Sequence, residues 1–455
     1  MNAGGRTDNN NASWPRFGTD GVRGVANSEI SPEYALALGR VAARHLGADR
    51  LVVGRDTRRS GPLLEAALVA GALAEGVDVV RLGVAPTPAV AWLCARDGLA
   101  GAVISASHNP FADNGIKLFG PGGLKLGDRQ QDAIQAALSE PQRNSQVPTG
   151  AELGGVSDVP DLLGAYGDAV AASIEGRSLD GIALVVDCAH GAASAIGPAV
   201  LRSLGAELTV IGAEPDGANI NAGCGSTDLG PLRREVLARG AALGLAFDGD
   251  ADRVLAVDHT GRDIDGDQLI AAAARDLAAR GRLAHEAVVV TVMSNLGFQL
   301  GMRRAGIEVR RTAVGDRHVL AELEAGGYSL GGEQSGHVIF RELATTGDGL
   351  LTAVQILDLV RRSGRTLAEL ADEAMDRLPQ VLRNVGVVRP HADLDAALAE
   401  AVAAVEARLG EDGRVLIRAS GTEPLVRVMV EAARLEDAER AAGELASVVD
   451  GLVGR

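Results

Sequence analysis

A strand–helix–strand pattern occurs three times along the chain and leaves few folds open. Each copy begins with a short β-branched run, at residues 51–54, 184–188 and 288–292. A stretch of helical periodicity follows, and then a second strand, at residues 78–82, 207–211 and 308–311. This alternation is typical of α/β domains, and the copies are too far apart for a solenoid of short repeats. The sequence therefore predicts three similar α/β domains.

The C-terminal part of the chain follows a different order. Strands are predicted at residues 385–388, 415–418 and 426–431, and helices at residues 394–408 and 435–452. We interpret this part as a smaller α+β domain. The predicted domain limits are 14–155, 156–257, 258–376 and 380–455, preceded by a polar, disordered tail at residues 1–13.

The charge balance argues against two classes of function. The net charge is −16, whereas nucleic-acid binders carry a basic face and peripheral membrane proteins a basic amphipathic helix. No segment reaches the ~18 uncharged apolar residues of a membrane span. We therefore expect no nucleic-acid and no membrane partner. An anionic substrate would require cations to be concentrated locally.

Cysteine usage and the N-terminus both indicate a cytoplasmic protein. Cys94, Cys188 and Cys224 show no CxxC spacing, and an odd number is unsuited to a disulfide framework. No basic segment followed by an apolar run is present at the N-terminus, so we expect no signal peptide.

The first loop with chemical content follows an apolar strand at residues 101–104. Residues 104–110 read ISASHNP, and Lys117 lies a few residues further on. A serine at a strand end beside a histidine suits an activated nucleophile, although the same residue types also favour a turn. No GxSxG motif surrounds Ser107, which disfavours a serine hydrolase.

The second loop, residues 247–253, reads FDGDADR and follows a strand at residues 243–247. In an extended segment alternate residues point to one side. We therefore expect Asp248, Asp250 and Asp252 to converge on one cation. Carboxylate oxygens suit Mg²⁺ or Ca²⁺.

Two competing interpretations of acidic segments can be set aside. An EF-hand needs glycine where Arg253 stands and glutamate where His259 stands. Residues 263–267, DIDGD, resemble the predicted metal-binding segment at residues 248–252. They follow a predicted turn at residues 259–261 and open a helix at Gln268, so turn and N-cap roles account for them.

Four further regions offer groups for a phosphorylated sugar. Residues 331–337 read GGEQSGH, and a charged loop lies at residues 312–317. Residues 418–424 read RASGTEP, with Arg427 beyond them, and combine small residues with two arginines, as phosphate sites do. Residues 17–24, FGTDGVRG, form a Gly-rich turn with one arginine. Considered alone, the 418–427 region favours phosphate binding, whereas the 331–337 region also suits a surface turn and the 17–24 region is non-specific.

Together and in this order, the loops resemble the α-D-phosphohexomutase family from about Trp14 onward. The resemblance implies an α/β protein of three similar α/β domains with mixed sheets and a smaller C-terminal α+β domain, arranged around a central cleft. It also implies a mutase that moves phosphate between positions of a hexose through a phosphoserine.

The resemblance assigns roles to individual residues. Ser107 is the phosphoserine and, with Asp248, Asp250 and Asp252, binds one Mg²⁺. The other catalytic positions beside the transferring phosphate are Arg23, His108 and Lys117. Substrate-binding positions are Arg253, Gly315, Asp316, Arg317, Glu333, Ser335 and His337. Positions that bind the second phosphate are Arg418, Ser420, Gly421, Thr422 and Arg427.

Three positions bear on the sugar. Ser105, Ala106 and Gln334 resemble family members that act on glucosamine phosphates. The implied reaction interconverts glucosamine 6-phosphate and glucosamine 1-phosphate through glucosamine 1,6-bisphosphate, and supplies UDP-N-acetylglucosamine and cell-wall precursor synthesis.

Several alternatives stay open at this stage. The enzyme alternative is a phosphoglucomutase/phosphomannomutase, and the non-enzyme alternative is a sugar-phosphate-binding protein. The sequence also leaves open whether Lys117 or His108 is the general base, whether the chain forms a homodimer, and how Ser107 is first phosphorylated.

Overall fold

The structure is a computed structural model that describes residues 14–18, 20–139, 147–388, 393–419 and 424–454. These residues form four sheets of six, five, four and three strands. The predicted tail at residues 1–13 lies outside the described residues. Within the described ranges, no helix combines the length and the apolar character needed to cross a bilayer.

The first sheet is mixed. Its strands are β1 (Val22–Val25), β2 (Arg50–Arg55), β3 (Asp78–Val84), β4 (Ala100–Ile104), β5 (Asp113–Phe119) and β6 (Val156–Asp158). Its helices are α1 (Pro32–His45), α2 (Gly61–Leu73), α3 (Thr87–Asp97) and α4 (Asp128–Ser139). Strands β4, β2, β3 and β6 lie side by side in that order and run parallel to one another. Strand β5 pairs antiparallel with β4, and β1 pairs antiparallel with β5.

The second and third sheets repeat this plan. The second domain contains α5 (Leu162–Ala172), β7 (Ala183–Asp187), α6 (Ala193–Ser203), β8 (Glu207–Ile211), α7 (Gly230–Arg239), β9 (Leu243–Phe247), β10 (Val254–Asp258) and β11 (Asp263–Ile264). The third contains α8 (Gly266–Ala279), β12 (Ala287–Thr291), α9 (Leu296–Arg304), β13 (Glu308–Thr312), α10 (Asp316–Gly326), β14 (Leu330–Gly332), β15 (Val338–Phe340), α11 (Gly349–Ser363) and α12 (Leu367–Ala374). The predicted three-fold α/β repeat is confirmed.

The central strands explain why the repeat is legible in the sequence. Val288, Val289 and Val290 of β12 are all fully buried, because helices cover both faces of the sheet. A parallel strand buried on both faces reads as a continuous apolar run rather than an alternating one.

The fourth domain has an antiparallel sheet packed on helices. It contains β16 (Gln380–Gly386), α13 (Leu394–Leu409), β17 (Arg414–Ala419), β18 (Leu425–Glu431) and α14 (Leu435–Val453). The strand order is β16-β18-β17. Val426, Val428 and Val430 alternate along β18 and pack in one core with residues of α14, which is the period-two pattern of a strand. The predicted α+β domain is confirmed.

The three repeats share one connection that positions the site. In each domain, one parallel strand is followed directly by a strand that pairs antiparallel with it. These pairs are β4–β5, β9–β10 and β14–β15. The three hairpin loops, residues 105–112, 248–253 and 333–337, therefore occupy equivalent places. They are the loops in which the sequence predicted the phosphoserine, the metal ligands and the sugar-binding residues.

Two predicted domain limits fall inside observed sheets. Strand β6 pairs with β3, and β11 pairs with β10. The first sheet thus extends beyond residue 155 and the second beyond residue 257. Three- and two-residue edge strands have too little hydrophobic periodicity to be recognised in a sequence.

Candidate active site

Ser107 lies in the β4–β5 loop and contacts a carboxylate from the second domain. Its Oγ donates a hydrogen bond of 2.5 Å to Asp248 Oδ2, and lies 3.3 Å from His108 Nδ1. The residue is fully buried. Its φ is 52°, a left-handed conformation that residues other than glycine rarely adopt and that clusters at functional sites.

The three aspartates of the β9–β10 loop are brought together by a turn. Ala251 N donates to Asp248 O at 3.1 Å, and Ala251 has a φ of 57°. The prediction of an extended segment with alternating side chains is therefore wrong, because the chain must reverse from β9 into β10. The predicted convergence is nevertheless found: ligand atoms of Asp248, Asp250 and Asp252 lie within 4.8 Å of one another.

This cluster fits a divalent cation. All three carboxylates are buried, and Asp250 Oδ1 and Asp252 Oδ1 have no hydrogen-bond partner among the described residues. Burial, followed by the charges of Asp252 and Asp250, raises the pKa of Asp248 well above its usual value. Buried carboxylate oxygens without partners are costly, and a cation that prefers oxygen ligands would satisfy them.

Lys117 projects from β5 into a ring of carboxylates. Its Nζ lies 2.8 Å from Asp250 Oδ2, 3.0 Å from Asp252 Oδ2 and 2.9 Å from Asp20 Oδ2. Burial lowers the pKa of Lys117, but the three carboxylates outweigh burial and raise it well above its usual value. In this arrangement Lys117 is therefore a buried cation at neutral pH.

Asp20 is a site residue that the sequence analysis missed. Besides Lys117, it accepts a hydrogen bond of 2.6 Å from Arg23 Nη2. The available signal was its place in the same Gly-rich turn as Arg23, next to β1, which pairs with β5. Asp20 thus links two predicted catalytic cations, Arg23 and Lys117.

His108 is the second candidate for proton transfer. Burial, together with the charges of Arg253 and Arg23, lowers the pKa of His108 to about 4. Its imidazole is therefore neutral at pH 7, and one of its two ring nitrogens can accept a proton. Arg253 is the last residue of the β9–β10 loop (residues 248–253, called the metal loop below). Its backbone N–H donates to Asp248 Oδ1 at 3.2 Å.

The predicted substrate-binding loops of the third domain are neighbours. Glu333 Oε1 accepts a hydrogen bond of 3.1 Å from the backbone N–H of Gly315. Ser335 Oγ donates to Glu333 Oε2 at 3.3 Å. The structure thus brings the 315–317 loop and the 333–337 loop to one place.

His337 lies at the end of the 333–337 loop, beside the predicted metal ligands. It is buried, its Nδ1 is 3.8 Å from Asp252 Oδ2, and its Nε2 accepts from the backbone N–H of Gly347 at 3.1 Å. The ring therefore packs against the metal loop and connects that loop to the third domain.

Asp316 and Arg317 are tied to the first domain. Lys125 Nζ binds both Asp316 Oδ2 and Asp20 Oδ1. Arg317 Nη1 pairs with Asp128 Oδ1. The sequence analysis did not select Lys125, because its partners are distant in sequence. Its one signal was a lysine within a Gly-rich loop of an acidic chain.

Arg418 and Arg427 are direct cross-strand neighbours on β17 and β18. Burial, and then the charge of Arg427, lowers the pKa of Arg418. Like charges placed opposite one another destabilise a sheet, and paired guanidinium groups suit a phosphate. The predicted phosphate-binding residues Ser420, Gly421 and Thr422 lie outside the described residues.

The acidic segment at residues 263–267 has the predicted N-cap role, whereas Asp263 lies in strand β11 rather than in a turn. Asp265 is the N-cap of α8 and forms a capping box with Gln268. Asp263 pairs with Arg233 at 2.6 Å. Among the described residues, the one carboxylate-rich cluster with metal-ligand geometry is that of Asp248, Asp250 and Asp252.

Comparison with known proteins follows the domain organisation. Four models match the chain in order, describing α/β/α domains I, II and III and the C-terminal domain of phosphoglucomutase/phosphomannomutase. They cover residues 15–145, 165–261, 265–378 and 382–448. A phosphoglucosamine mutase from Frankia casuarinae is 55% identical over 447 residues, covering 95% of this chain and 97% of that protein.

The chain belongs to the phosphoglucomutase/phosphomannomutase family. A second relative, the phosphoglucosamine mutase of Acidothermus cellulolyticus, is 54% identical and covers 97% of both chains. The crystal structure of a phosphoglucomutase/phosphomannomutase family protein from Burkholderia thailandensis superposes with a TM-score of 0.80, at 25% identity and 97% coverage of both chains.

Membership confirms the α-D-phosphohexomutase family predicted from the loops. The chain is therefore an enzyme of the mutase class, an isomerase that acts by phosphoryl transfer. The sheets and the smaller C-terminal domain agree with the predicted fold class.

Proposed function

We propose that this enzyme interconverts glucosamine 6-phosphate and glucosamine 1-phosphate through a phosphorylated Ser107. The observation that carries the proposal is the 2.5 Å hydrogen bond between Ser107 Oγ and Asp248, one of three buried clustered carboxylates. A hydroxyl in this position can receive a phosphoryl group and return it to another oxygen of the same sugar. The glucosamine assignment is supported by the names of the relatives at 55% and 54% identity, and by Ser105, Ala106 and Gln334.

Asp248, Asp250 and Asp252, with the phosphate of Ser107, would hold one Mg²⁺. When bound, Mg²⁺ supplies positive charge that neutralises the oxygens of the transferring phosphoryl group. The chain adds its own cations, since Lys117 is buried between the same carboxylates and Arg23 lies beside Asp20. Preorganised charge of this kind stabilises developing negative charge without reorganisation.

The proposed cycle has two half-reactions. The phosphoserine transfers its phosphoryl group to the 1-hydroxyl of glucosamine 6-phosphate, which gives glucosamine 1,6-bisphosphate and leaves the Ser107 hydroxyl. The bisphosphate then reorients, and Ser107 accepts the phosphoryl group from carbon 6, which releases glucosamine 1-phosphate. His108, whose imidazole is neutral at pH 7, is the candidate for accepting and returning the hydroxyl proton, because Lys117 is already protonated in this arrangement.

The other predicted residues would hold the substrate during this cycle. Glu333 and Ser335 offer an acceptor and a donor to sugar hydroxyls, next to the 315–317 loop. Arg418 and Arg427 face each other across β17 and β18, and with the 420–422 segment they would bind the phosphate that is not reacting.

A coupled assay with three hexose 6-phosphates tests the substrate assignment. We expect glucosamine 6-phosphate to give a higher kcat/KM than glucose 6-phosphate or mannose 6-phosphate. A higher value for glucose or mannose phosphate would overturn the sugar assignment and leave the mutase class intact. Binding of all three without turnover would favour the alternative of a sugar-phosphate-binding protein.

The product of the proposed reaction indicates which pathway the enzyme serves. Glucosamine 1-phosphate would supply UDP-N-acetylglucosamine and peptidoglycan precursor synthesis, and we expect the enzyme in the cytoplasm. Cys94, Cys188 and Cys224 are unpaired and buried, as expected in a reducing compartment. A homodimer stays a prediction.

A further inference from the structure

We infer that Arg58 and Asn221 are positioning residues. Together they hold the β4–β5 loop (residues 105–112, the Ser107 loop) against the metal loop. Neither residue belongs to the motifs that predicted the site. The inference rests on the proposed function, because holding the Ser107 loop matters for a reaction in which Ser107 carries the phosphate.

Arg58 comes from the loop after β2 and is fully buried. Its Nη2 donates to Ser107 O and to Asn109 O, both at 2.8 Å. Its Nη1 donates to Asp113 O at 3.0 Å and to Pro110 O. One guanidinium therefore satisfies four carbonyls of the loop that carries the nucleophile. A flat five-donor fork can do this, whereas a lysine ammonium presents only three donors from one point.

Asn221 approaches the same carbonyls from the second domain. Its Nδ2 donates to Ser107 O at 2.9 Å and to Asn109 O at 3.1 Å. Its Oδ1 is buried and has no hydrogen-bond partner in the part of the chain that the structure describes, so the side-chain hydrogen bonds that hold it there are those of the amide donor. Two side chains therefore hydrogen-bond to the Ser107 loop, Arg58 from the first domain and Asn221 from the second.

The charge of Arg58 is balanced on its other side. Arg58 Nε donates to Asp56 Oδ2 at 2.9 Å, and Ser105 Oγ donates to the same oxygen at 2.6 Å. Ser105 Oγ in turn accepts from the backbone N–H of Ser107 at 2.9 Å. Both backbone polar groups of Ser107 are therefore anchored to the Asp56–Arg58 pair.

Such anchoring is needed because the nucleophile has an unfavourable backbone. The left-handed φ of Ser107, 52°, persists only where the surroundings determine it. This conformation directs Oγ to Asp248, on the other side of the domain interface. If Asn221 no longer holds the two carbonyls, the loop can relax toward an ordinary conformation, and Oγ moves away from the metal loop.

The expected consequence is a loss of turnover rather than of binding. Displacement of a reacting group by about 1 Å can reduce the rate of a chemical step by about a hundredfold. Neither Arg58 nor Asn221 is among the residues that we propose to contact the sugar or its second phosphate, so KM should change little.

The test compares Asn221→Ala with Asn219→Ala, a matched control in the same loop. Asn219 Nδ2 donates to Glu214 O at 2.9 Å, and its Oδ1 accepts from Asp216 N at 3.0 Å. It shapes the loop without contacting Ser107. We expect Asn221→Ala to lower kcat about ten- to a hundredfold with KM within about twofold, and Asn219→Ala to leave kcat within about twofold of wild type. Equal losses in the two variants, or an unchanged kcat in Asn221→Ala, would overturn the inference.

A second readout separates this inference from the substrate assignment. Amide hydrogen exchange of a peptide covering residues 105–113 needs no substrate. We expect faster exchange there in Asn221→Ala and not in Asn219→Ala, with strands β2 and β9 unchanged in both. If no hexosamine phosphate is turned over, the proposed function fails and the exchange comparison alone decides the inference. Unchanged exchange in Asn221→Ala contradicts it.

Arg58→Lys tests the hydrogen bonds that Arg58 donates to the Ser107 loop. It keeps a positive charge beside Asp56 but cannot serve four carbonyls, so kcat should again fall while KM is retained. Should this variant fail to fold, Asn221→Ala carries the test, because Asn221 is only partly buried and its loop is held by other hydrogen bonds.

Discussion

Replacing Thr87 by valine should weaken the metal site without replacing a metal ligand. Thr87 is the first residue of α3 in the first domain, and it is fully buried. Its Oγ1 donates to Asp250 Oδ2 at 2.6 Å, and its backbone N–H donates to Asp250 O at 3.0 Å. Valine keeps the volume and the backbone contact, but removes the hydroxyl that orients the carboxylate.

The magnitude follows from the nature of that hydrogen bond. A hydrogen bond to a charged group contributes about 1.5–3 kcal/mol, and every 1.4 kcal/mol corresponds to about a tenfold change in an equilibrium constant. If this energy is lost from the metal-bound state, the activation constant for Mg²⁺ should rise about ten- to a hundredfold. Partners of metal ligands generally have effects of this size.

The assay is turnover measured against Mg²⁺ concentration for wild type, Thr87→Val and Thr87→Ser. Serine retains the hydroxyl, so Thr87→Ser should stay close to wild type. An activation constant for Thr87→Val within about twofold of that for Thr87→Ser would refute the claim that Thr87 orients Asp250.

Four other perturbations have defined outcomes. Chelation should stop turnover and Mg²⁺ should restore it; activity that survives chelation would speak against the metal site. Asp265→Asn should leave the Mg²⁺ activation constant unchanged, because Asp265 caps α8, whereas Asp250→Asn should abolish most activity; equal losses would mean that the metal ligands are misassigned. Burial raises the pKa of Asp348 to about 6, so its contribution to stability is present at low pH and is lost as pH rises through 6; the melting temperature of wild type should therefore fall relative to that of Asp348→Asn between pH 5 and 7, and a constant difference would contradict this. Arg427→Ala should lower kcat/KM about ten- to a hundredfold for both the 6-phosphate and the 1-phosphate, and a loss in one direction alone would indicate two separate phosphate sites.

The sequence was sufficient for the architecture because the first strand of each repeat (β2, β7 and β12) is buried on both faces. Runs such as Val288–Val290 stand out from a chain that is otherwise rich in alanine and glycine. The edge strands β6 and β11 were not recognised, since they are short and β6 is exposed. Their membership of a sheet depends on a neighbouring strand rather than on their own residues.

The sequence also located the residues that we propose to perform the chemistry, but not those that hold them. Ser107 and the three aspartates stand in compact motifs, so local spacing was enough. Lys125 pairs with Asp316, 191 residues away, and Asn221 reaches Ser107 across 114 residues. Contacts of this kind follow from how the domains pack, and no local pattern encodes them. The turn that gathers the aspartates was likewise missed, because alternation in an extended strand gives the same spacing.

The central claim is that Ser107 carries the phosphate during turnover. The most direct measurement is label transfer from glucosamine 6-phosphate that carries radioactive phosphate, with the reaction quenched within one turnover and the protein digested. We expect label on the peptide that contains Ser107 in wild type, and neither label nor turnover in Ser107→Ala. Turnover by Ser107→Ala at the wild-type rate, or label on another residue, would contradict it.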